Sequence, residues 1–490
     1  MFKNILFAFL FFQLTITPKD VVKFEDYFHD KTLRIDYHHI GDNNEEIITI
    51  DRLYSYDKWN RNKKNLVDNF NNGRYYFKIY DLKSGALIYS KGFDSYFGEY
   101  KTSDDGLNGI KKAYHESAII PRPKNKFRFV VENRLRDNSM KEIHSSEIDP
   151  GDMNIVSETT NDPSVIVVKS LFSGNPENKV DVVILGDGYT SSEQAKFKSD
   201  LEKFTNTFFK LEPYAKNKNK FNVYGVLKPS VDSGTDLPMH DIFKNTVLNT
   251  TFNSLGSERY LLTEDNKTMR DLAAYVPYDA IYIMVNHDRY GGGGIYNLFC
   301  TFTSDNQFQD YLFLHEFGHS FAGLADEYYT SDVAYNEFYP DGIEPVEPNI
   351  TRLMDPENIK WKNLTAENIE LPTPWEKENF DKMDLEWQAE RRAINNKIAE
   401  LTRNRADEKV IADLRAEYDK KDREHSQVVD EYLKSSMFYG KVGAYEGAGY
   451  ASKGLYRSML DCIMFSKGTK PFCKVCEAAI EKVINFYAEE

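Results

Sequence analysis

The segment Tyr311–Tyr329 reads YLFLHEFGHSFAGLADEYY. Within it, His315 and His319 stand four residues apart, with Glu316 beside the first. On a helix, such a pair shares one face with Cβ atoms about 5–6 Å apart, so both rings can converge on one ion. Neutral imidazole suits Zn²⁺, which it binds at about 2.1 Å. Glu316 is then placed as general base toward a water that zinc makes acidic, with a pKa of about 7. Gly323 predicts the end of the helix, because glycine readily takes a positive φ. The chain can double back there and deliver a third ligand. Three acids compete for that role: Asp326, Glu327 and Glu337. Asp326 follows soonest after the glycine, and its short side chain holds a carboxylate close to the backbone. Asp326 is therefore the expected ligand, with Glu327 as a supporting group. Glu337 lacks a convincing second helix to aim it.

Several elements must position these residues. Val180–Leu185, Phe221–Leu227 and Ala280–Val285 read as buried strands. Thr190-Ser191-Ser192-Glu193 reads as a capping box opening a helix. Alternating strand and helix predicts an α/β domain with a mostly parallel sheet over residues 166–490. Before it, residues 21–145 predict a small all-β, sandwich-like domain, with strands at Thr32–His38, Glu46–Tyr54, Tyr75–Tyr80, Ala86–Lys91 and Lys126–Glu132. His38 and His39 are adjacent on a strand and so point to opposite faces, which argues against a metal pair. Residues 146–165 carry Pro150, Gly151 and Pro163 and read as a linker. Residues 376–434 contain neither Gly nor Pro and show helical periodicity. They predict a long helical hairpin, turning near Arg403–Asp407, that projects from the domain and is dispensable for chemistry.

The bulk numbers bound the partners. A net charge of −15 repels phosphates, which argues against nucleic acid. Residues 1–20 (MFKNILFAFLFFQLTITPKD) resemble a signal peptide, predicting a secreted, periplasmic or cell-surface protein without a transmembrane span in its mature form. Of four cysteines, Cys300, Cys462, Cys473 and Cys476, the last two have C-x-x-C spacing. Disulfides or buried thiols are expected in preference to a second metal.

His315–Glu327 matches H-E-x-x-H-x-x-x-G-x-x-D-E, and here the chain resembles the IgA peptidase family of metzincin-like zinc metalloendopeptidases. VDVVILGDGY at Val180–Tyr189, YGGGGIY at Tyr290–Tyr296 and YEGAGYASKGLYRSMLDCIM at Tyr445–Met464 carry the same resemblance. It implies one catalytic zinc on His315, His319 and Asp326, and a Met-turn at Met464. It also implies a strand edge at Gly294, Ile295 and Tyr296 that pairs with extended substrate. The resemblance points to protein or glycoprotein substrates, immunoglobulin A among them. Ser466 stands where some metzincins place an oxyanion-stabilising tyrosine, which leaves Tyr450, Tyr456 and Arg457 as candidates. Two rival readings are a non-proteolytic zinc hydrolase, and a surface-binding protein acting through its β domain and hairpin.

Overall fold

A computed structural model describes residues 22–157, 160–330 and 339–489. The expected signal segment lies outside the described residues. Two four-stranded sheets form the N-terminal part. One contains Phe28–Gly41, Glu46–Tyr56, Lys112–Pro123 and Val156–Ser157; the other contains Tyr75–Asp81, Leu87–Phe93, Phe127–Arg134 and Met140–Ile148. Alternation along the strands turns Leu33, Ile35 and Ile120 of the first sheet toward Phe77, Ile79 and Phe129 of the second, in one shared core. Strands Lys112–Pro123 and Met140–Ile148 add to the five expected, and further features differ from expectation. Short helices interrupt the strands at Tyr96–Tyr100 and Asp104–Leu107. Strand Met140–Ile148 also runs past residue 145, and Val156–Ser157, inside the expected linker, pairs with Tyr54 and Ser55.

The C-terminal part is built on a six-stranded sheet in the order Gly292–Ile295, Phe299–Thr303, Ala280–Val285, Val180–Asp187, Phe221–Leu227, Ile166–Leu171. Its inner pairings are parallel and both outermost pairings antiparallel. Every residue of Val180–Asp187 is buried, which explains its predominantly apolar sequence: helices or loops cover both faces. Thr190 and Glu193 form the expected capping box, after which helix Gln194–Phe208 lies on one face. Helices Gln309–Ala322 and Lys474–Tyr487 pack there too, joining Phe204, Phe313, Phe317 and Ile480 in the largest core. On the opposite face, Val183, Leu185 and Ile283 share a core with Phe97 and Tyr114 of the N-terminal part. The two parts therefore share buried apolar contact.

Residues 376–434 fold as helices Lys377–Arg403 and Glu408–Ser435, with the turn between them where it was expected. Their antiparallel pairing is held by Asp384 with His425 (2.8 Å) and by Glu390 with Lys421 (2.7 Å). The hairpin does not project. Phe380, Val429 and Leu433 are buried in the same core as the histidine-bearing helix. Tyr329 Oη donates to Asp381 at 2.7 Å, Lys467 Nζ to Asp422 at 2.8 Å, and Arg403 to the carbonyl of Met239 at 3.1 Å. Among the described residues, no helix is long and apolar enough to cross a membrane.

Candidate metal centre

Helix Gln309–Ala322 carries both histidines and stops where Gly323 takes φ +61°. The amides of Gly323 and Leu324 bond back to the carbonyls of His319 (3.0 Å) and Gly318 (3.2 Å), closing the helix end. The reversed chain is held from three sides. Asn349 brackets Ala325 with bonds of 2.8 and 2.9 Å. Glu327 N donates to Met464 O at 2.8 Å. The Gly449 amide donates to Asp326 O at 3.0 Å, and that of Tyr450 to Tyr328 O at 3.0 Å.

This backbone aims three donor atoms at one point. His315 Nε2, His319 Nε2 and Asp326 Oδ1 lie 3.1 Å from one another in every pairing. A four-coordinate zinc with ligands at about 2.1 Å requires donors roughly 3.4 Å apart, so the set lies within about 0.3 Å of what that ion needs. Both remaining ring nitrogens meet backbone carbonyls: His315 Nδ1 with Ile463 O at 2.9 Å, and His319 Nδ1 with Leu324 O at 2.6 Å. Donating there fixes the tautomer that leaves each Nε2 lone pair free for a metal. Asp326 Oδ2 accepts the hydroxyl of Tyr450, a residue held at φ +63°. Burial opposes the Asp326 charge, yet the two imidazoles hold its carboxyl far below the usual range. Against the pull of burial, the same carboxylate pushes His319 up to about 9. Burial also raises the Glu316 carboxyl, which the two imidazoles partly offset.

The expected residues separate into two groups. Glu316 lines the same cleft as the three converging side chains, as do Tyr450, Gly294 and Tyr296. Met464 is fully buried under the helix: a Cβ on Gly318 would meet its sulfur at 2.9 Å. Glu327, also buried, points away from the histidines toward Cys476 and Asn349. Glu337 lies outside the described residues. Arg457 is buried and spends its guanidinium on the carbonyl of Gly447 (2.7 Å) and on the ring of Phe465, so it does not reach the cleft. Tyr456 lies in strand Ala451–Arg457, paired with Glu446 and Thr351, and does not line the cleft. Gly292 uses its N–H and C=O on Arg259 and Leu261. Period-two alternation turns the backbone of Gly294 toward the same outer edge. Tyr296, by contrast, is buried, and its carbonyl accepts the amide of Asp94 from the N-terminal part. The strand edge is therefore shorter than expected, because the chain's own segments cap it at both ends.

The cleft encloses about 230 Å³. Sequence reasoning missed much of its lining. Tyr328, next to the motif, lies with its ring 6.3 Å from that of His315 and was findable by adjacency. Arg259 sits among Tyr290, Tyr311 and Tyr328, and its charge bears on Glu316. Trp387, Arg391 and His425 come from the hairpin, and no local pattern marks them as cleft residues. The four cysteines are buried and none is in a disulfide, so of the two forms expected for them the disulfides are absent.

Comparison with known families adds an independent line. Residues 168–484 match the model described as IgA Peptidase M64, and residues 23–145 match that described as Peptidase M64 N-terminus. No curated protein matches the chain. One family model thus spans well over half of the 490 residues, including the whole candidate metal constellation, and its companion covers the sheets in front. The chain belongs to the IgA peptidase M64 family and is a peptidase.

Proposed function

We propose that the chain is a zinc-dependent endopeptidase of exported proteins, with a metzincin-like catalytic domain behind a β-sandwich. The observation that carries this reading is the equilateral convergence of His315, His319 and Asp326 beside Glu316. A zinc ion held by these three side chains supplies Lewis acidity toward a scissile carbonyl and toward water. Glu316 accepts a proton from the attacking water and passes it to the leaving amine; its raised pKa matches a group that must do both. Met464 gives the helix an apolar floor, the part a Met-turn plays. Tyr450 orients Asp326 through its hydroxyl.

The cleft runs between the short edge at Gly294 and the hairpin wall at Trp387 and Arg391. An extended peptide lying there can pair its backbone with that of Gly294. The N-terminal hydrophobic segment supports export, and the family description favours glycoproteins such as immunoglobulin A as substrates. The test is Glu316→Gln, assayed by a proteomic cleavage profile with zinc content measured in parallel. Zinc should be retained, and turnover should fall by at least about 100-fold, the lower end of general-base contributions. Turnover above about a hundredth of the wild-type rate would move the base elsewhere.

A further inference from the structure

Behind the metal centre, on the far side of Met464, lies a second cluster. Cys462, Cys473, Cys476 and Glu327 are all buried, and one donor atom from each lies within 4.8 Å of the others. We propose that these four side chains form a structural zinc site, distinct from the catalytic one, that braces the catalytic site from behind.

The distances suit that ion. Tetrahedral zinc with Zn–S near 2.3 Å and Zn–O near 2.0 Å places sulfurs about 3.8 Å apart, and sulfur about 3.5 Å from oxygen. Cys462 Sγ and Cys476 Sγ lie 3.9 Å apart. Glu327 Oε1 lies 3.3 Å from Cys476 Sγ and 3.7 Å from Cys473 Sγ. Three soft sulfurs with one hard oxygen in tetrahedral array select Zn²⁺ over Ca²⁺ or Mg²⁺, which take oxygen ligands.

The surroundings suit thiolates. Cys462 Sγ accepts the amides of Cys473 (3.1 Å) and Met464 (3.4 Å), and Cys473 Sγ accepts the amide of Cys476 (3.3 Å). Cys473 caps helix Lys474–Tyr487, and Cys476 lies in its first turn, where the helix dipole favours negative sulfur. The buried guanidinium of Arg457 lies within coulombic reach of Glu327 and offsets part of the remaining negative charge.

An empty cluster is harder to account for. Glu327 is entirely shielded from solvent, and its Oε2 has no hydrogen-bond partner. Apart from Asn349, the groups bonded to Oε1 are thiols, which are weak donors. A buried carboxylate so poorly served is costly to keep charged, whereas a divalent ion satisfies it directly. The site would also join three segments that serve the catalytic centre. Glu327 follows Asp326; Cys462 precedes Ile463, whose carbonyl receives His315; and Cys476 anchors the last helix.

The test uses the full chain with its metal exchanged for cobalt. The catalytic set contains no sulfur, so a thiolate-to-cobalt charge-transfer band in the near ultraviolet can arise only from the second cluster. The wild-type chain should bind two equivalents of metal and show the band. His315→Ala/His319→Ala should keep one equivalent and the whole band, and Cys476→Ser added to it should abolish the band. Denatured, chelated wild-type protein should titrate four free thiols. Two thiols instead of four would reveal a disulfide and overturn the site. A single equivalent of metal in the wild type, with no band, would overturn it equally. If the double variant does not fold, the wild-type stoichiometry and spectrum decide alone.

Discussion

Gly294→Ala tests how the short edge strand meets the catalytic helix. A Cβ built on Gly294 would lie 2.9 Å from His319 Cβ, and closer still to the backbone carbonyl of Glu316. Ordinary contact begins near 3.4 Å, so strand and helix must separate by about 0.5 Å at His319 and by about 1 Å at the Glu316 carbonyl. No flexible side-chain end can absorb that overlap, because the nearer obstacle is main chain. Overpacking of this kind costs about 1–3 kcal/mol in stability. Displacing catalytic groups by a fraction of an ångström to 1 Å costs about 10–100-fold in rate. Expected is a lowered melting temperature together with a fall in kcat/KM on an unstructured peptide, the zinc content staying unchanged. Gly293→Ala is the control. Its Cβ points to the opposite face, where the nearest atom is the methyl of Leu262, which can move, so its rate loss should be several-fold smaller. Wild-type kcat/KM in Gly294→Ala, or an equal loss in both variants, would refute the reasoning that glycine is there for helix packing.

Replacing residues 377–435 by a short linker should abolish cooperative thermal unfolding. The excision removes Phe380, Val429 and Leu433 from the core, on the order of 5 kcal/mol of apolar burial. Full turnover of a small peptide by the shortened chain would show that the hairpin is an appendage after all. A second expectation concerns pH. His39 is buried between Glu116 and Glu46, each 3.2 Å from a ring nitrogen. Burial alone would push its imidazole down, but the two carboxylates raise it above its ordinary 6.5. A group raised in the folded state contributes stability that is complete below the unfolded value and lost as pH climbs through the folded one. Urea unfolding of the wild type and His39→Gln should therefore show a stability gap that narrows as pH rises from below 6.5 into the alkaline range; a constant gap would refute the assignment.

The legible parts of the chain were those with a short-range physical signature. The histidine spacing, the Gly323 stop and the acid beyond it lie within thirteen residues, and each acts through local backbone geometry. The hairpin announced itself by periodicity and the absence of helix breakers. Strands Lys112–Pro123 and Met140–Ile148 went unread, and both are outermost in their sheets. At such a position Pro121 and Pro123 are tolerated, and Lys141, Glu142 and Glu147 can face water, so the alternating apolar pattern is blurred. The illegible parts depend on contact between distant segments. Nothing near Trp387 reveals that its helix walls the cleft, and nothing near Cys462 reveals that it meets Glu327. The family resemblance implies a substrate-pairing edge that includes Tyr296, whereas Asp94 of the N-terminal part occupies its carbonyl.

The carbonyl that holds His315 in position belongs to Ile463, 148 residues further along. The ribosome therefore makes the two histidines long before it makes the acceptor that orients the first of them. In between come the whole hairpin and the strand pair that carries Tyr450. A growing chain therefore carries the recognisable motif before the contact that orients His315 exists, while the N-terminal sheets are already folding ahead of it. The rigid site forms only when the segment around Met464 and the helix behind it dock, so the order of synthesis sets the order in which the site is completed.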